Sequence, residues 1–463
     1  MHPQLAADLA ALPDLLETTR QHATDFLATL PEAPVVPARP APEPAPLPEH
    51  GTGLRDALRD FTTRWQPGLS ASAGPRYLGF VTGGATPAAL AGDWLTATVD
   101  QNAMSSLDPT GQHLERETVD WLRALFGLSD AHQGALVSGA TQSNTVGLAI
   151  AREWLGEQRG VSPAEDGVAA LGPVRVLSGA PHSSIAKALS VLGLGRSALV
   201  TVPTLPDREA VDPAALERAL QETDGPCVII ANAGTVNTVD FDDLRALAAL
   251  RDRYGCWLHI DAAFGAFAAL SPQHARLVDG LDLADSLCID LHKWLNVPYD
   301  SAVQFTRRRD LQARVFQNAA AYLGELGADP DLVHLTPENS RRLRALPTWF
   351  TLRAYGREGH REIVERCAAS AGTLGTAVAS LDGLRLLDPV RLNVVCFTLA
   401  ARPTAERLAA LADALAAEAF LTPTVHAGLP ALRAAFSNWR TTEEDVQRIA
   451  AALEKAVRQL PAD

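Results

Sequence analysis

Lys293 stands directly behind His292 in SLCIDLHKWLNVPYD, residues 286–300, at the end of an apolar run that reads as a buried strand. Flanked by Leu291, Trp294 and Leu295, its amine is expected in partly apolar surroundings, where desolvation disfavours the ammonium and frees the amine for Schiff-base chemistry. A lone lysine can equally snorkel from a half-buried turn, so the reading depends on its company. Asp261, in WLHIDAAFGAF, closes another apolar run, where a carboxylate is costly unless it meets a cationic partner; alone it reads as well as a helix cap. His182, in PHSSIAKA, follows a third run, with a helix capped by Ser183 or Ser184 as the plain alternative. Thr235, in NAGTVNTVDF, follows a fourth and by itself is a turn hydroxyl. ALVSGATQSN passes from a short strand into small and hydroxyl residues and then a helix, which makes an anion-binding corner at Ala140 and Thr141.

These residues meet only if the runs share one sheet. VRVLSG from residue 174, ALVTVP from 198, CVIIANAG from 227, CWLHIDAAFGAF from 256 and SLCIDL from 286 alternate with helical segments such as IAKALSVLG and DDLRALAALRDRY, and 302–306 returns as a strand after the lysine turn. Repeated strand-helix-strand units imply an α/β fold with a mainly parallel sheet, helices on both faces and chemistry at the carboxyl ends of the strands. Thr141, His182, Thr235, Asp261 and Lys293 then gather along one edge. An amine, a carboxylate able to hold a pyridinium nitrogen protonated, a flat ring to stack on it and a phosphate corner are the parts that a pyridoxal phosphate site requires.

The rest of the chain sets limits. Its 463 residues suffice for two or three domains. Forty basic against 54 acidic residues leave a charge of −14 with no basic run, which argues against a nucleic-acid partner. The five cysteines show no CxxC pair and no His/Cys cluster at zinc spacing, so neither a metal site nor a disulfide framework is expected, and they read as buried hydrophobes of a reducing compartment. The start of the chain lacks a signal-peptide pattern and no apolar run reaches membrane-spanning length, so the expected location is the cytoplasm, without a membrane partner. No GxGxxG follows a strand and no GKS or GKT occurs, which removes the mechanical parts of dinucleotide and P-loop sites.

Before the sheet, Leu5, Leu9, Leu12, Leu15 and Leu16 recur at helical spacing over 4–30, with Pro13 as an interruption. Residues 31–50 are dense in proline and read as an extended connector. Helical periodicity resumes over 53–65, and RYLGFVTGGATPAAL adds a Gly-Gly turn that is weak as a phosphate fingerprint. Helices are expected over 93–104 and 114–126, the second burying Leu114, Val119, Leu122, Leu125 and Phe126.

In order and spacing, GATQSN, PHSSIAKA, NAGTVNTVDFDDL, WLHIDAAFGAF and ADSLCIDLHKWLNVPYD resemble the group II amino-acid decarboxylases. These are pyridoxal-phosphate enzymes of the aspartate-aminotransferase fold (fold type I), including aromatic-L-amino-acid, histidine and glutamate decarboxylases. The resemblance runs from about residue 76 to the end of the chain. It implies N-terminal helices and a proline-rich arm over 1–65, a large cofactor-binding domain with a seven-stranded-type sheet over 66–345, and a smaller C-terminal α+β domain over 346–463. It makes Lys293, His182 and Asp261 catalytic: Lys293 forms the Schiff base, Asp261 pairs with the pyridine nitrogen, and His182 stacks on the ring. Ala263 packs beneath the ring, Thr235 supports its substituents, and Ala140, Thr141 and His292 contact the phosphate. Arg433, in LRAAFSNWR, matches an arginine near the substrate or its carboxylate, and Phe80, in RYLGFVTGG, lies on the substrate side. A homodimer is implied as well.

The implied reaction removes the α-carboxylate of an L-amino acid as carbon dioxide and leaves an amine. An aminotransferase or an aldehyde-forming decarboxylative deaminase keeps the cofactor and changes the outcome; a non-catalytic protein acting through its proline-rich segment is the reading from another class. Two departures bear on this. GELGADPDLVHLTPENSRR lacks the tyrosine that protonates the carbanion in many family members, leaving His334, or Tyr322 before it, as the donor, or a different chemistry. Val81, Thr82 and Gly83 replace a more aromatic, proline-containing run, which weakens an aromatic substrate.

Overall fold

The apolar runs become a seven-stranded sheet in the computed structural model, which describes all residues except 39, 105–108, 319–328 and 461–463. The strands are β1 (Gln133–Val137), β2 (Val176–Ser178), β3 (Leu199–Thr201), β4 (Val228–Asn232), β5 (Trp257–Asp261), β6 (Ser286–Asp290) and β7 (Ala302–Thr306), in spatial order β1-β7-β6-β5-β4-β2-β3. Only β7 runs against its neighbours, β1 and β6. Every residue of β4, β5 and β6 is buried. Strands covered on both faces need apolar side chains on both, which is why these segments read as unbroken runs rather than as alternation.

One cover is the helix Ala140–Arg159, which packs Val146, Ile150 and Leu155 with Ile230 and Trp257. The opposite face carries the main core, including Leu258, Ile260, Leu287 and Phe267. Parallel register brings Asn232 of β4 beside Asp261 of β5, so polar strand ends line up where the apolar runs stop.

A second, antiparallel sheet follows: β8 (Leu384–Leu386), β9 (Val394–Leu399), β10 (Thr422–His426) and β11 (Leu429–Ala435), in order β10-β11-β9-β8. The long helix Ala345–Ser380, interrupted at Gly356, leads into it. The final helix, Glu443–Gln459, begins in a capping box between Thr442 and Asp445, as its TTEED start predicts.

Several boundaries differ from expectation. The N-terminal helices Pro3–Ala10 and Leu12–Thr29 break at Ala11, and Pro13 lies in the first turn of the second, where its missing N–H costs nothing. The helix expected over 93–104 runs instead from Pro87 to Val99. Thr86 caps it, Pro87 opens it, and Asp100, in the left-handed region, ends it. The helix Leu54–Asp60 continues as a π-helical turn, Phe61–Trp65. The proline-rich segment is pinned at its start, where Val35 and Val36 N–H donate to Ala417 and Ala416 carbonyls and Arg76 donates to Pro31 and Ala33. Among the described residues, no helix is long and apolar enough to cross a membrane.

Candidate active site

β6 ends at Asp290, and a single helical turn, Leu291–Trp294, presents the lysine. Leu291, Trp294 and Leu295 point into the core, while Lys293 Nζ turns towards Asp290 Oδ2 at 3.1 Å and lies 5.7 Å from the centre of the Phe264 ring. The partly apolar setting read from the flanking residues is therefore corrected in one respect: the amine faces a buried carboxylate, because successive residues of a helical turn point in different directions. Asn296 locks the turn, donating from its amide to Gly83 O at 2.6 Å and to Ser437 O at 2.8 Å. A Cβ on Gly83 would come within 2.0 Å of Asn296 Nδ2 and of Lys293 O. The Gly-Gly turn thus allows segment 79–84 to lie against the lysine turn.

Asp261 is held on both oxygens. Asn144 Nδ2 donates to Oδ2 at 2.9 Å and Ala263 N–H to Oδ1 at 3.2 Å. His182 is itself the cap of the helix Ser183–Val191, since its Nδ1 accepts from Ser184 N–H at 3.2 Å, in place of the serine cap weighed from the sequence. It lines the cavity, and burial pushes its pKa below the ordinary histidine value. Thr235 Oγ1 donates to Glu209 Oε2 at 2.5 Å and accepts from Asp240 N–H at 2.9 Å, so its hydrogen is already committed. Thr238 and Asn237 also donate to Glu209, and His426 Nδ1 of β10 lies 3.4 Å from it. Burial raises the Glu209 pKa, but the hydrogen bonds from His426, Thr235 and Thr238 outweigh it and hold the group at about 2.

The anion corner has the expected geometry. Gly139 precedes the helix Ala140–Arg159 with no side-chain cap, leaving first-turn N–H groups for an anion. One of them, Ala140 N–H, is taken by Asp290 Oδ1 at 3.1 Å. His292 stands beside this corner: its Nδ1 is 3.1 Å from Ser301 O and 3.2 Å from Asp290 Oδ1, its ring packs on Tyr299 at 4.3 Å, and burial lowers its pKa.

A cavity of about 120 Å³ joins these parts, lined by Phe80, Ala140, His182, Thr235, Asp261, Ala263, Lys293 and Arg433. Arg433 is buried, donates to Val236 O and has no partner for Nε among the described residues. Thr141 and His292 flank this lining without being part of it. His334 is elsewhere, buried in the turn Leu332–His334 with its Nδ1 accepting from Asn318 N–H. Tyr322 lies outside the described residues. Asn144, Glu209 and Asp290 were not singled out from the sequence. Asp290 was legible as the polar end of an apolar run next to the lysine, whereas Asn144 and Glu209 find their partners only through the fold.

An amine, a carboxylate held on both oxygens, an imidazole and an uncapped helix N-terminus around one cavity define a pyridoxal-phosphate enzyme site, and this donor set fits the aldehyde, ring nitrogen, ring face and phosphate of that cofactor. Residues 37–400 match the family model described as the pyridoxal-dependent decarboxylase conserved domain. The chain belongs to the pyridoxal-dependent decarboxylase family, and its cofactor is pyridoxal phosphate.

It is 30% identical to L-2,4-diaminobutyrate decarboxylase of Acinetobacter baumannii over 64% of this chain and 61% of that protein, less than two thirds of its length. It is 26% identical to an aromatic-L-amino-acid decarboxylase of Bacillus atrophaeus over 76% of this chain and 73% of that one. The fold is that of Oryza sativa TDC, solved with PLP and tryptamine, with a TM-score of 0.89, 23% identity and 99% of each chain covered.

Proposed function

We propose that the protein removes the α-carboxylate of an L-amino acid as carbon dioxide and releases the amine. The observation that carries this is the convergence of Lys293, Asp261, His182 and the uncapped helix on one cavity in a chain of this family. Bound pyridoxal phosphate supplies a protonated ring into which the electrons of the broken bond at the α-carbon can spread.

Lys293 Nζ, beside Asp290 at the cavity, is the amine that would hold the cofactor's aldehyde. Asp261 holds a proton on the ring nitrogen, because an opposite charge at close range favours the protonated form. Ala263 and the imidazole of His182 would hold the ring, and the first turn after Gly139, with His292 beside it, would hold the phosphate. Thr235 shapes the ring's surroundings by fixing its loop to Glu209. Arg433, a buried cation with an unmatched N–H, holds a substrate anion and so orients the carboxylate that leaves. Phe80, at the mouth of the cavity, borders the substrate side chain. His334 takes no part in its own chain's cavity.

The division into an N-terminal arm, a large domain and a small domain belongs to the same reading, as do a homodimer and a cytoplasmic location. Leu5, Leu9 and Leu16 of the N-terminal helices lie between 57% and 63% exposed, and a second copy would cover them. The deciding experiment supplies pyridoxal phosphate and each common amino acid in turn and measures carbon dioxide, amine, ammonia and peroxide. Carbon dioxide and amine in equal amounts from at least one amino acid is the expected result. A keto acid, or ammonia with peroxide, from every productive substrate would overturn it.

A further inference from the structure

A chain of buried polar side chains runs behind Asp261. Trp257 Nε1 donates to Ser286 Oγ at 3.0 Å, Ser286 Oγ lies 2.8 Å from His259 Nδ1, and His259 Nε2 lies 2.9 Å from Asn144 Oδ1. Asn144 Nδ2 then donates twice, to Asp261 Oδ2 at 2.9 Å and to Ser184 Oγ at 3.1 Å. Ser184 Oγ in turn lies 2.8 Å from His182 Nδ1. Trp257, Ser286, His259, Asn144 and Ser184 are all buried. The helix makes room for the chain: a Cβ on Gly147 would lie 2.7 Å from the His259 ring.

The Asp261 end sets the direction of the hydrogens in this chain. An indole N–H can only donate and an ionised carboxylate can only accept. At the indole end Ser286 receives the Trp257 hydrogen and is free to give its own to His259 Nδ1, which is compatible with a His259 proton on Nε2, facing Asn144 Oδ1. Starting from the carboxylate, Asn144 must turn its NH2 to Asp261, so its carbonyl faces His259 Nε2, which must be protonated. The carboxylate end therefore fixes the assignment, and the indole end is compatible with it. The second Asn144 N–H goes to Ser184 Oγ, whose hydrogen passes to His182 Nδ1, and the Ser184 backbone N–H points at that same nitrogen. Nδ1 therefore carries no proton, and the neutral His182 ring carries it on Nε2.

We infer that Asn144 and His259 are positioning residues that set Asp261 and His182 together, orienting the carboxylate towards the cofactor ring and fixing His182 as its Nε2–H tautomer. Their chemistry suits the task. A cation behind Asp261 would compete for its charge, whereas an amide N–H orients the carboxylate and leaves that charge for the ring nitrogen. Burial holds the His259 pKa at about 4, so the chain stays neutral behind the carboxylate. The use made of this arrangement rests on the decarboxylase reading, but the arrangement is tested without turnover.

Solid-state 15N–13C spectra of cofactor-free protein labelled at histidine report both tautomers, with His182→Gln and His259→Gln identifying the two signals. Nε2–H at both rings is expected, and Nδ1–H at either overturns the directed chain. Pyridoxal phosphate binding then tests the positioning. His259→Leu is expected to weaken Kd about 10-fold, and His259→Gln, which keeps a donor for Asn144 Oδ1, to stay within about 3-fold of wild type. Wild-type affinity in both variants, or equal losses in both, would refute the positioning role. Carbon dioxide release enters neither readout, so failure here is distinct from failure of the proposed reaction.

Discussion

The cavity has two unlike walls. One is made by the ends of the fully buried strands β5 and β6 and the helix starts beside them: Asp261 closes β5, Lys293 lies in the turn after β6, and His182 and Ala140 stand at helix starts. The other is assembled from distant parts: Phe80 and Val81 from segment 79–84, Val236 from the loop after β4, and Arg433 from β11. Asn296, Asn237 and the Glu209–His426 contact hold this second wall across the two sheets. The rigid wall suits chemistry common to every amino acid. The assembled wall suits discrimination, since small shifts of the second sheet reshape it without disturbing the cofactor's partners.

Substitutions should separate the walls. Lys293→Ala on the first is expected to reduce turnover on the order of 10³-fold or more and to abolish the cofactor's characteristic absorbance band. Asp261→Ala is expected to lower turnover about 100-fold or more and to weaken cofactor binding, read from kcat and Kd; normal rates would make that carboxylate merely structural. On the second wall, Arg433→Ala should raise KM about 10- to 100-fold while leaving cofactor affinity near wild type, the scale of one charged hydrogen bond. A matching loss of cofactor affinity would erase the distinction between the walls. Phe80→Ala, at a side chain 57% exposed, should change relative kcat/KM between amino acids by less than about 10-fold.

The seam holding the second wall also has a pH signature. With Glu209 held at about 2 against an ordinary 4.5, its contribution is complete above pH 4.5 and lost as pH falls towards 2. His426 is shifted the other way, upward, first by its hydrogen bond to Glu209, so its contribution is present below pH 6.5 and lost as pH rises through its folded value. Urea unfolding of wild type against Glu209→Gln should show a stability difference on the order of 3 kcal/mol near pH 5 that shrinks towards pH 2. A pH-independent difference would count against the seam.

The contrast between the walls also marks what was legible in the sequence. Doubly covered strands must be apolar along their length, so the runs announced the sheet, and its parallel order placed Asp261, His182 and Lys293 at one edge. The lysine's own surroundings did not follow from Leu291, Trp294 and Leu295, because those side chains turn into the core and Asp290 faces the amine. Asn144 lay within a motif already singled out, but its partners Asp261 and His259 are 117 and 115 positions away, and no local pattern reports them. Glu209 had no signal at all: its bond to Thr235 forms only when the loops after β3 and β4 meet, and its approach to His426 only once the second sheet docks. His334, read as a proton donor because the loop that carries a tyrosine in many family members has none here, is not among the residues that line its own chain's cavity.

The chain has three lysines, Lys187, Lys293 and Lys455, which makes the central claim directly testable. Borohydride reduction of the protein loaded with pyridoxal phosphate, followed by peptide mapping, should place one pyridoxyl group per chain on Lys293. A label on Lys187 or Lys455 with Lys293 unmodified, or no stable label, would contradict the account.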